Sequence, residues 1–200
     1  MEINKEIFDD LINILNSPKD IHKINIDKQK SIKDVHIYCK LKKLSGQVSG
    51  SLIENYIINN NDMVKSDSSL CIGDCVKNNK NIEIKISLGG NISHNKFNYV
   101  QIRLNHNIDL YIFTAYLLTK QNINNMGEIF IFSLKKKELI NIILKYGNYS
   151  HGTKKNLGDI NRKSLESINN NKEYSIRPKY NSKCWMVLMN FRINKISSIV

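Results

Sequence analysis

Hydrophobic residues recur every three to four positions in several parts of the chain, which is the spacing of an amphipathic helix. The first such stripe, Ile3, Ile7, Leu11 and Ile14, ends at Ser17-Pro18, and residues 19–34 after it are predicted to be irregular. The same spacing predicts helices over residues 45–59 and 136–146, and a terminal helix is predicted over residues 183–193. Residues 35–44 fit both a helix and an alternating strand, so their assignment stays open.

Short apolar runs between these helices predict a sheet. The runs are bounded by Asn-rich and Gly-rich turns, as strands are in globular domains. The predicted strands lie at residues 70–76, 81–88, 98–104, 109–119, 127–134 and 174–177. Residues 147–173 are rich in Gly, Asn and Lys and show no pattern, which predicts a functional loop or partial disorder. Together the elements predict an α/β domain with a central mixed sheet flanked by helices.

The composition is that of one globular domain covering residues 1–200. Hydrophobic residues make up 41% of the chain and charged residues 24%, which excludes a disordered, a collagen-like or a disulfide-stapled chain. No apolar run approaches the roughly 18 residues that a bilayer span requires. Acidic residues at positions 2, 9 and 10 stand where a signal peptide is basic or apolar. We therefore expect a cytoplasmic protein with reduced cysteines and no membrane partner.

The net charge of +12 indicates a polyanionic partner. The chain has 30 Lys and Arg against 18 Asp and Glu, and a basic surface of this kind commonly binds nucleic acid. The chain is also rich in Ile, Asn and Lys and poor in Arg, as AT-rich coding produces, so part of the Lys excess has a mutational origin. Solubility alone is the alternative explanation of this charge.

The segment 73–85 carries the candidate chemistry. Asn78-Asn79 fits a two-residue hairpin turn, because Asn tolerates the left-handed backbone conformations that such turns need. Pairing Lys77 with Lys80 gives a register in which Asp74 lies opposite Glu83, with Cβ atoms about 4.5–5.5 Å apart. Opposed carboxylates repel unless a divalent cation lies between them, since hard cations bind carboxylate oxygens.

Lys85 projects from the same face of the predicted strand as Glu83, while isoleucines at positions 82, 84 and 86 occupy the other face. A cation beside an amine holds, orients and deprotonates a water for attack on a phosphodiester. The opposing interpretation is a solvated hairpin whose wet face carries Glu83 and Lys85. The position of Asp74, the apolar flanks and the upstream helix with Glu54 favour the nuclease interpretation.

The segment resembles the Asp…Glu-x-Lys (PD-(D/E)xK) nuclease superfamily, whose core is a helix followed by a hairpin and further strands. The resemblance implies that Asp74 and Glu83 bind Mg²⁺ and that Lys85 assists the attacking water. It also implies an acidic residue on the preceding helix that supports the metal site, and Glu54 matches that position. The chain departs from the pattern at one place, where Gly73 rather than Pro precedes the aspartate.

The match covers about residues 45–120, the predicted catalytic core, and within the superfamily the chain resembles small type II restriction endonucleases. This implies Mg²⁺-dependent hydrolysis of double-stranded DNA at a short specific site, leaving a 5′-phosphate and a 3′-hydroxyl. Gln101 alternates to the same face as Tyr99 and Arg103. It is interpreted either as a contact to the site water or a phosphate, or as an exposed polar residue.

Base recognition is assigned to about residues 148–179, because the catalytic core meets phosphates that carry no base identity. The candidate DNA-binding residues are Arg103, His151, Lys154, Lys155, Arg162 and Arg177. One catalytic set per chain predicts a homodimer on a palindromic site, and a monomer that makes two successive nicks is the alternative. A cognate DNA methyltransferase encoded nearby is expected as a genetic companion rather than a physical partner.

Two other functions compete with the restriction endonuclease. The first is a structure-specific or repair nuclease on the same core. The second is a non-catalytic basic protein that binds nucleic acid, with a structural acidic pair. The second predicts salt-sensitive binding that does not respond to Mg²⁺.

Overall fold

The computed structural model describes residues 31–89, 95–119, 121–150 and 160–198. Five α-helices are described in these ranges: α1 Ile32–Leu41, α2 Gly46–Asn59, α3 Lys136–Tyr146, α4 Arg162–Glu166 and α5 Lys183–Met189. Serine side chains cap three of them. Ser31, Ser45 and Ser182 accept backbone N–H groups at 3.2, 3.3 and 3.3 Å, which satisfies donors that a helix start otherwise leaves free.

The nine described strands form two sheets. They are β1 Val64–Lys65, β2 Cys75–Lys77, β3 Lys80–Ser87, β4 Tyr99–Arg103, β5 Leu110–Leu117, β6 Glu128–Lys135, β7 Gly147–Tyr149, β8 Glu173–Ile176 and β9 Arg192–Ile193. The main sheet has the order β1-β2-β3-β5-β6-β9, and the second sheet has the order β4-β8-β7. The main sheet is mixed, because β3 and β5 run parallel while its other pairs are antiparallel.

The main sheet separates two hydrophobic cores. Leu110 and Ile112 of β5 face α1 and α2. Their neighbours Tyr111 and Phe113 face the second sheet, α3 and α5. Trp185 of α5 anchors this second core through contacts with four aromatic rings whose centroids lie 4.8–5.4 Å away. Strand β5 is buried along its whole length, as its continuous apolar run requires.

The predicted α/β class, with a mixed central sheet flanked by helices, is confirmed. The predicted helices over residues 45–59 and 136–146 are confirmed as α2 and α3. Of residues 35–44, the first seven belong to α1, which begins at Ile32, within a segment predicted to be irregular, and ends at Leu41. The first predicted helix, over the stripe that begins at Ile3, lies outside the described residues.

Three predictions of element boundaries were wrong. The strand predicted at residues 70–76 is confined to β2, because turns and bends occupy residues 68–72. The helix predicted over 183–193 ends at Met189, and the chain then pairs with β6 as β9. The stretch 147–173 includes β7 and α4, so its described part is not a plain loop.

Within the described ranges, no helix combines the length and the apolar character that crossing a membrane requires.

Candidate active site

The β2–β3 hairpin has the predicted register. Asn78 and Asn79 form its turn with φ of 48° and 58°, the left-handed values that a tight hairpin turn needs. Lys77 pairs with Lys80 and Cys75 pairs with Ile82. The Asp74 N–H donates to the carbonyl of Ile82, the residue that Cys75 already pairs with, at 2.8 Å, so the regular pairing ends at Cys75 and the exact pairing of Asp74 with Glu83 is not continued. Asp74 still lies near Glu83, since the two carboxylates interact electrostatically.

Gly73 has a structural reason to replace proline before the aspartate. Its φ is +87°, whereas proline is restricted to about −65°. A Cβ at this position would lie 2.5 Å from the Ile82 carbonyl oxygen and 2.8 Å from Ile108 Cδ1. The glycine therefore lets the chain approach β3 closely just before Asp74.

Asp74 is held where its ionised form is disfavoured. Burial and the nearby Glu83 carboxylate raise the pKa of Asp74 to about 7, and Glu54 adds a smaller effect in the same direction. The Ile84 N–H opposes this rise by donating to Asp74 Oδ2 at 2.7 Å, and Lys85 opposes it weakly. Two carboxylates are thus kept close together with little surrounding water.

Lys85 is in contact with this carboxylate pair. Its Nζ lies 2.6 Å from Glu83 Oε1, and the side chains of Lys85 and Glu83 are 18% and 15% exposed. The amine and both carboxylates therefore lie in one partly open site. The predicted set of Asp74, Glu83 and Lys85 is brought together by the hairpin.

Glu54 is placed differently from the other predicted ligands. It belongs to α2, which packs on the opposite side of the main sheet, and its Oε1 forms an ion pair with Lys65 Nζ at 3.3 Å. Its charge reaches Asp74, since it contributes to the raised pKa of that carboxyl. The role of Glu54 as an auxiliary metal ligand stays a prediction.

The carboxylates belong to a row of side chains that crosses four strands. Ser66 donates its N–H to the Asp74 carbonyl at 2.9 Å, which extends the pairing of β1 with β2. Glu83 pairs with Tyr111 across the parallel β3–β5 contact. The order across the sheet is therefore Ser66, Asp74, Glu83, Tyr111, which we call the polar row. Sequence reasoning missed both ends of this row.

The loop after β4 brings a histidine to the same site. Asn81 fixes this loop to the hairpin, because its Nδ2 donates to the Asn107 carbonyl at 2.8 Å. Burial lowers the pKa of His106, and the charges of Glu83 and Lys85 also act on it. His106 was not a candidate in the sequence, since no motif connects this loop with the hairpin.

Gln101 does not follow the predicted alternation. A bulge between Tyr99 and Ile102 interrupts the pairing of β4 with β8, and Gln101 adopts a φ of 54° within it. Tyr99 and Ile102 are buried as a result, while Gln101 is exposed. The prediction that Gln101 shares a face with Tyr99 was therefore wrong. Its N–H donates to Ser150 Oγ at 3.1 Å.

The three described candidates for DNA binding all have partners within the protein. Arg103 binds Glu173 Oε1 through two nitrogens, at 2.8 and 2.6 Å. Arg162 forms an ion pair with Glu166 at 2.9 Å, and Arg177 donates to Asn98 Oδ1 at 3.0 Å. The other candidates, His151, Lys154 and Lys155, lie outside the described residues. DNA binding by all six stays a prediction.

The donor set suits a hard cation that keeps part of its water. Over the described parts of the chain, no three or more His, Cys, Asp or Glu side chains come close enough to hold a metal ion as a group. The site therefore offers the two carboxylates of Asp74 and Glu83. Mg²⁺ is commonly bound by one or two carboxylates, with waters and substrate phosphates completing its shell. Its charge would also relieve the repulsion that raises the pKa of Asp74, so the residues fit this ion.

No protein-family model, curated protein or solved structure matches this chain.

Proposed function

We propose that the protein is a Mg²⁺-dependent endonuclease that cuts double-stranded DNA at a short specific site, as type II restriction endonucleases do. One observation carries the proposal. The carboxylates of Asp74 and Glu83 lie near each other in a partly buried site, and the Lys85 amine is 2.6 Å from Glu83. Stability alone does not explain this arrangement, since two partly buried carboxylates close together repel each other.

The residues have separate parts in hydrolysis. Asp74 and Glu83 would hold Mg²⁺, which would polarise the phosphodiester and make water more acidic. Lys85 turns from Glu83 to the attacking water and orients it toward phosphorus. His106 lies near Glu83 and Lys85 and would contact a phosphate of the substrate.

The order of the elements also supports a restriction-endonuclease-like core. Helix α2 precedes the β2–β3 hairpin, and further strands of the same sheet follow. This is the order expected for the Asp…Glu-x-Lys superfamily. Membership of that superfamily is part of the proposal.

Digestion of unmethylated plasmid DNA with and without Mg²⁺ tests the function. We expect discrete fragments only with Mg²⁺, and sequencing of their ends should return one short site with 5′-phosphates. Asp74→Ala, Glu83→Ala and Lys85→Ala should each abolish cleavage and retain DNA binding. Near-normal cutting by any of the three folded variants would overturn the assignment. Cutting directed to flaps or damaged sites would indicate a repair nuclease instead.

A non-catalytic nucleic-acid-binding protein is the second candidate. The short ion pair between Lys85 and Glu83 favours it, because the pair neutralises Glu83 without any metal. This function predicts binding that weakens steeply with salt, since lysines displace counterions from phosphates. Filter binding with Mg²⁺ or EDTA would then give equal affinities, and no fragments would form.

A further inference from the structure

Two buried hydroxyl groups lack a partner in the described part of the chain. Ser66 Oγ and Tyr111 Oη are inaccessible to solvent, and no hydrogen bond is formed by either atom. Folded proteins pair nearly all buried polar groups, because an unpaired one loses its hydration without compensation. Two such groups in one region therefore indicate a missing acceptor.

Both hydroxyls belong to the polar row, one at each end. Ser66 stands beside Asp74, and Tyr111 stands beside Glu83. Each unpaired donor is thus next to a carboxylate, which is the strongest acceptor that a protein offers. The carboxylates have other partners here, since Glu83 Oε1 contacts Lys85 and Asp74 Oδ2 accepts from Ile84, and neither hydroxyl donates to them.

Packing does not require the Tyr111 hydroxyl. Tyr111 is 1% exposed, and its ring meets Phe113 edge-on at 6.4 Å within an aromatic core where phenylalanine is common. Glu83 contributes to the raised pKa of Tyr111, which places the phenol within the field of that carboxylate. Tyr99 provides the contrast, since its buried hydroxyl donates to the Thr114 carbonyl at 3.1 Å.

We propose that Ser66 and Tyr111 are positioning residues of this site, whose hydroxyls donate to Asp74 and Glu83 when Lys85 turns to the substrate. This inference rests on the proposed function. The donation is direct or passes through one bound water. It replaces the partner that Glu83 loses, and it fixes the orientation of both metal-binding carboxylates from the outer ends of the row.

The test compares the variants Tyr111→Phe, Ser66→Ala and the double variant with the control Tyr99→Phe. Mg²⁺ affinity is measured by titration calorimetry, the melting temperature is measured without metal, and kcat and KM are measured on plasmid DNA. For Tyr111→Phe and Ser66→Ala we expect Mg²⁺ to bind about 10–100-fold more weakly, since outer partners of metal ligands have effects of this size. We expect kcat to fall and KM for DNA to stay unchanged.

The metal-free melting temperature separates positioning from folding. Tyr111→Phe should not lower it, because the lost hydroxyl has no partner within the fold. Tyr99→Phe should lower it and leave Mg²⁺ affinity unchanged, because that hydroxyl has a structural acceptor. A double variant that binds Mg²⁺ within twofold of the wild type would overturn the inference.

Failure of the inference differs from failure of the proposed function. If the wild type cuts DNA and the double variant binds Mg²⁺ normally, only the inference is wrong. If the wild type binds Mg²⁺ but cuts no DNA, the proposed function fails, and weaker binding by the variants still supports the inference. Absence of Mg²⁺ binding by the wild type would overturn both.

Discussion

The metal-free folded protein disfavours the ionised form of Asp74. Its pKa of about 7 results first from burial and then from Glu83. Because the folded-state pKa lies above the unfolded-state pKa, Asp74 binds a proton more readily in the folded protein. Its contribution therefore destabilises the fold as pH rises from about 4 to about 7. Such a cost is typical of residues retained for function rather than stability.

Asp74→Asn should stabilise the metal-free protein. The Asn side-chain oxygen still accepts from the Ile84 N–H, while the negative charge beside Glu83 is removed. We expect the free energy of unfolding at pH 8 to rise by on the order of 2 kcal/mol, with cleavage abolished. Urea unfolding checks the first expectation and plasmid digestion the second.

Asp74→Ala is the matched control for this substitution. It removes the same charge but leaves the Ile84 N–H without its acceptor, so it should gain less stability than Asp74→Asn. A loss of stability in Asp74→Asn would show that the carboxylate is structural, as the non-catalytic function requires.

His36 gives the free energy of unfolding a second dependence on pH, separate from that of Asp74. It is fully buried, with Nδ1 2.7 Å from the Ile32 carbonyl oxygen and Nε2 2.9 Å from Thr114 Oγ1. The carbonyl only accepts, so Nδ1 carries the proton and Nε2 accepts from the Thr114 hydroxyl. Burial lowers the pKa of His36 to about 4, outweighing the opposing effect of Ile32.

The free energy of unfolding should therefore fall on acidification. The unfolded state takes up a proton near pH 6.5 and the folded state only near pH 4, so the loss accumulates between these values. It amounts to on the order of 3 kcal/mol. Urea unfolding from pH 4 to 7.5 measures this loss of stability. The measurement uses the Asp74→Asn variant as its background, because ionisation of Asp74 changes the free energy of unfolding in the opposite direction over this pH range. Adding His36→Gln should flatten the curve, and equal slopes with and without this change would contradict the assignment.

At the level of elements, the β2–β3 hairpin depends on its turn. Asn78 and Asn79 both have positive φ, which β-branched residues adopt only with strain. Asn79→Val should lower the free energy of unfolding by about 1–2 kcal/mol and weaken cleavage, because the turn sets the strand pairing that brings Asp74 near Glu83. Asn79→Gly should preserve both. Thermal melts and digestion rates measure these effects.

Asn59→Val is the control for that prediction. Asn59 is an exposed position at the end of α2, outside the positive-φ residues. A similar loss of stability there would show that valine is unfavourable for reasons other than the turn.

The hairpin could be predicted because neighbouring residues in the sequence determine its turn and its strand pairing. Asn78-Asn79 fixes the turn, and the turn fixes which residues pair, so the pairing of Lys77 with Lys80 and of Cys75 with Ile82 could be predicted from the sequence. The same local signals located α2, α3 and β5 to within a few residues.

The rest of the site depends on pairing between distant segments. Ser66 joins the polar row through β1, a strand of two residues that leaves no pattern. Tyr111 joins it through a parallel pairing whose register no turn sets. The second sheet was missed because β4, β7 and β8 meet only in three dimensions. The bulge at Gln101 likewise has no signal in the sequence.

For the whole molecule, the region expected to recognise bases is partly structural. Residues Leu165, Tyr174 and Ile176, which lie within 148–179, are completely buried in the core beside the second sheet. Strands β7 and β8 supply two of the three strands of that sheet. Replacement of the entire stretch would therefore unfold this side of the protein, and tests of recognition belong on single polar residues.

A homodimer on DNA is the expected active form. The chain has one set of Asp74, Glu83 and Lys85, so cutting both strands requires two subunits or two successive reactions. Light scattering should find two chains of Asp74→Asn on one cognate duplex with Ca²⁺, which typically permits binding without cleavage in the superfamily that this chain resembles. One chain per duplex, with a persistent nicked plasmid during wild-type digestion, would contradict the dimer.

The parallel contact between β3 and β5 also orders events during synthesis. The chain must leave the main sheet after β3, pass through the β4 segment and return before Tyr111 reaches Glu83. Contacts of this range form slowly, because the intervening chain loses entropy first. A nascent chain that has emerged only as far as the hairpin holds both carboxylates but lacks the strand beside Glu83. The row from Ser66 to Tyr111 is therefore complete only after β5 has left the ribosome, and the topology of the sheet delays the completion of the site.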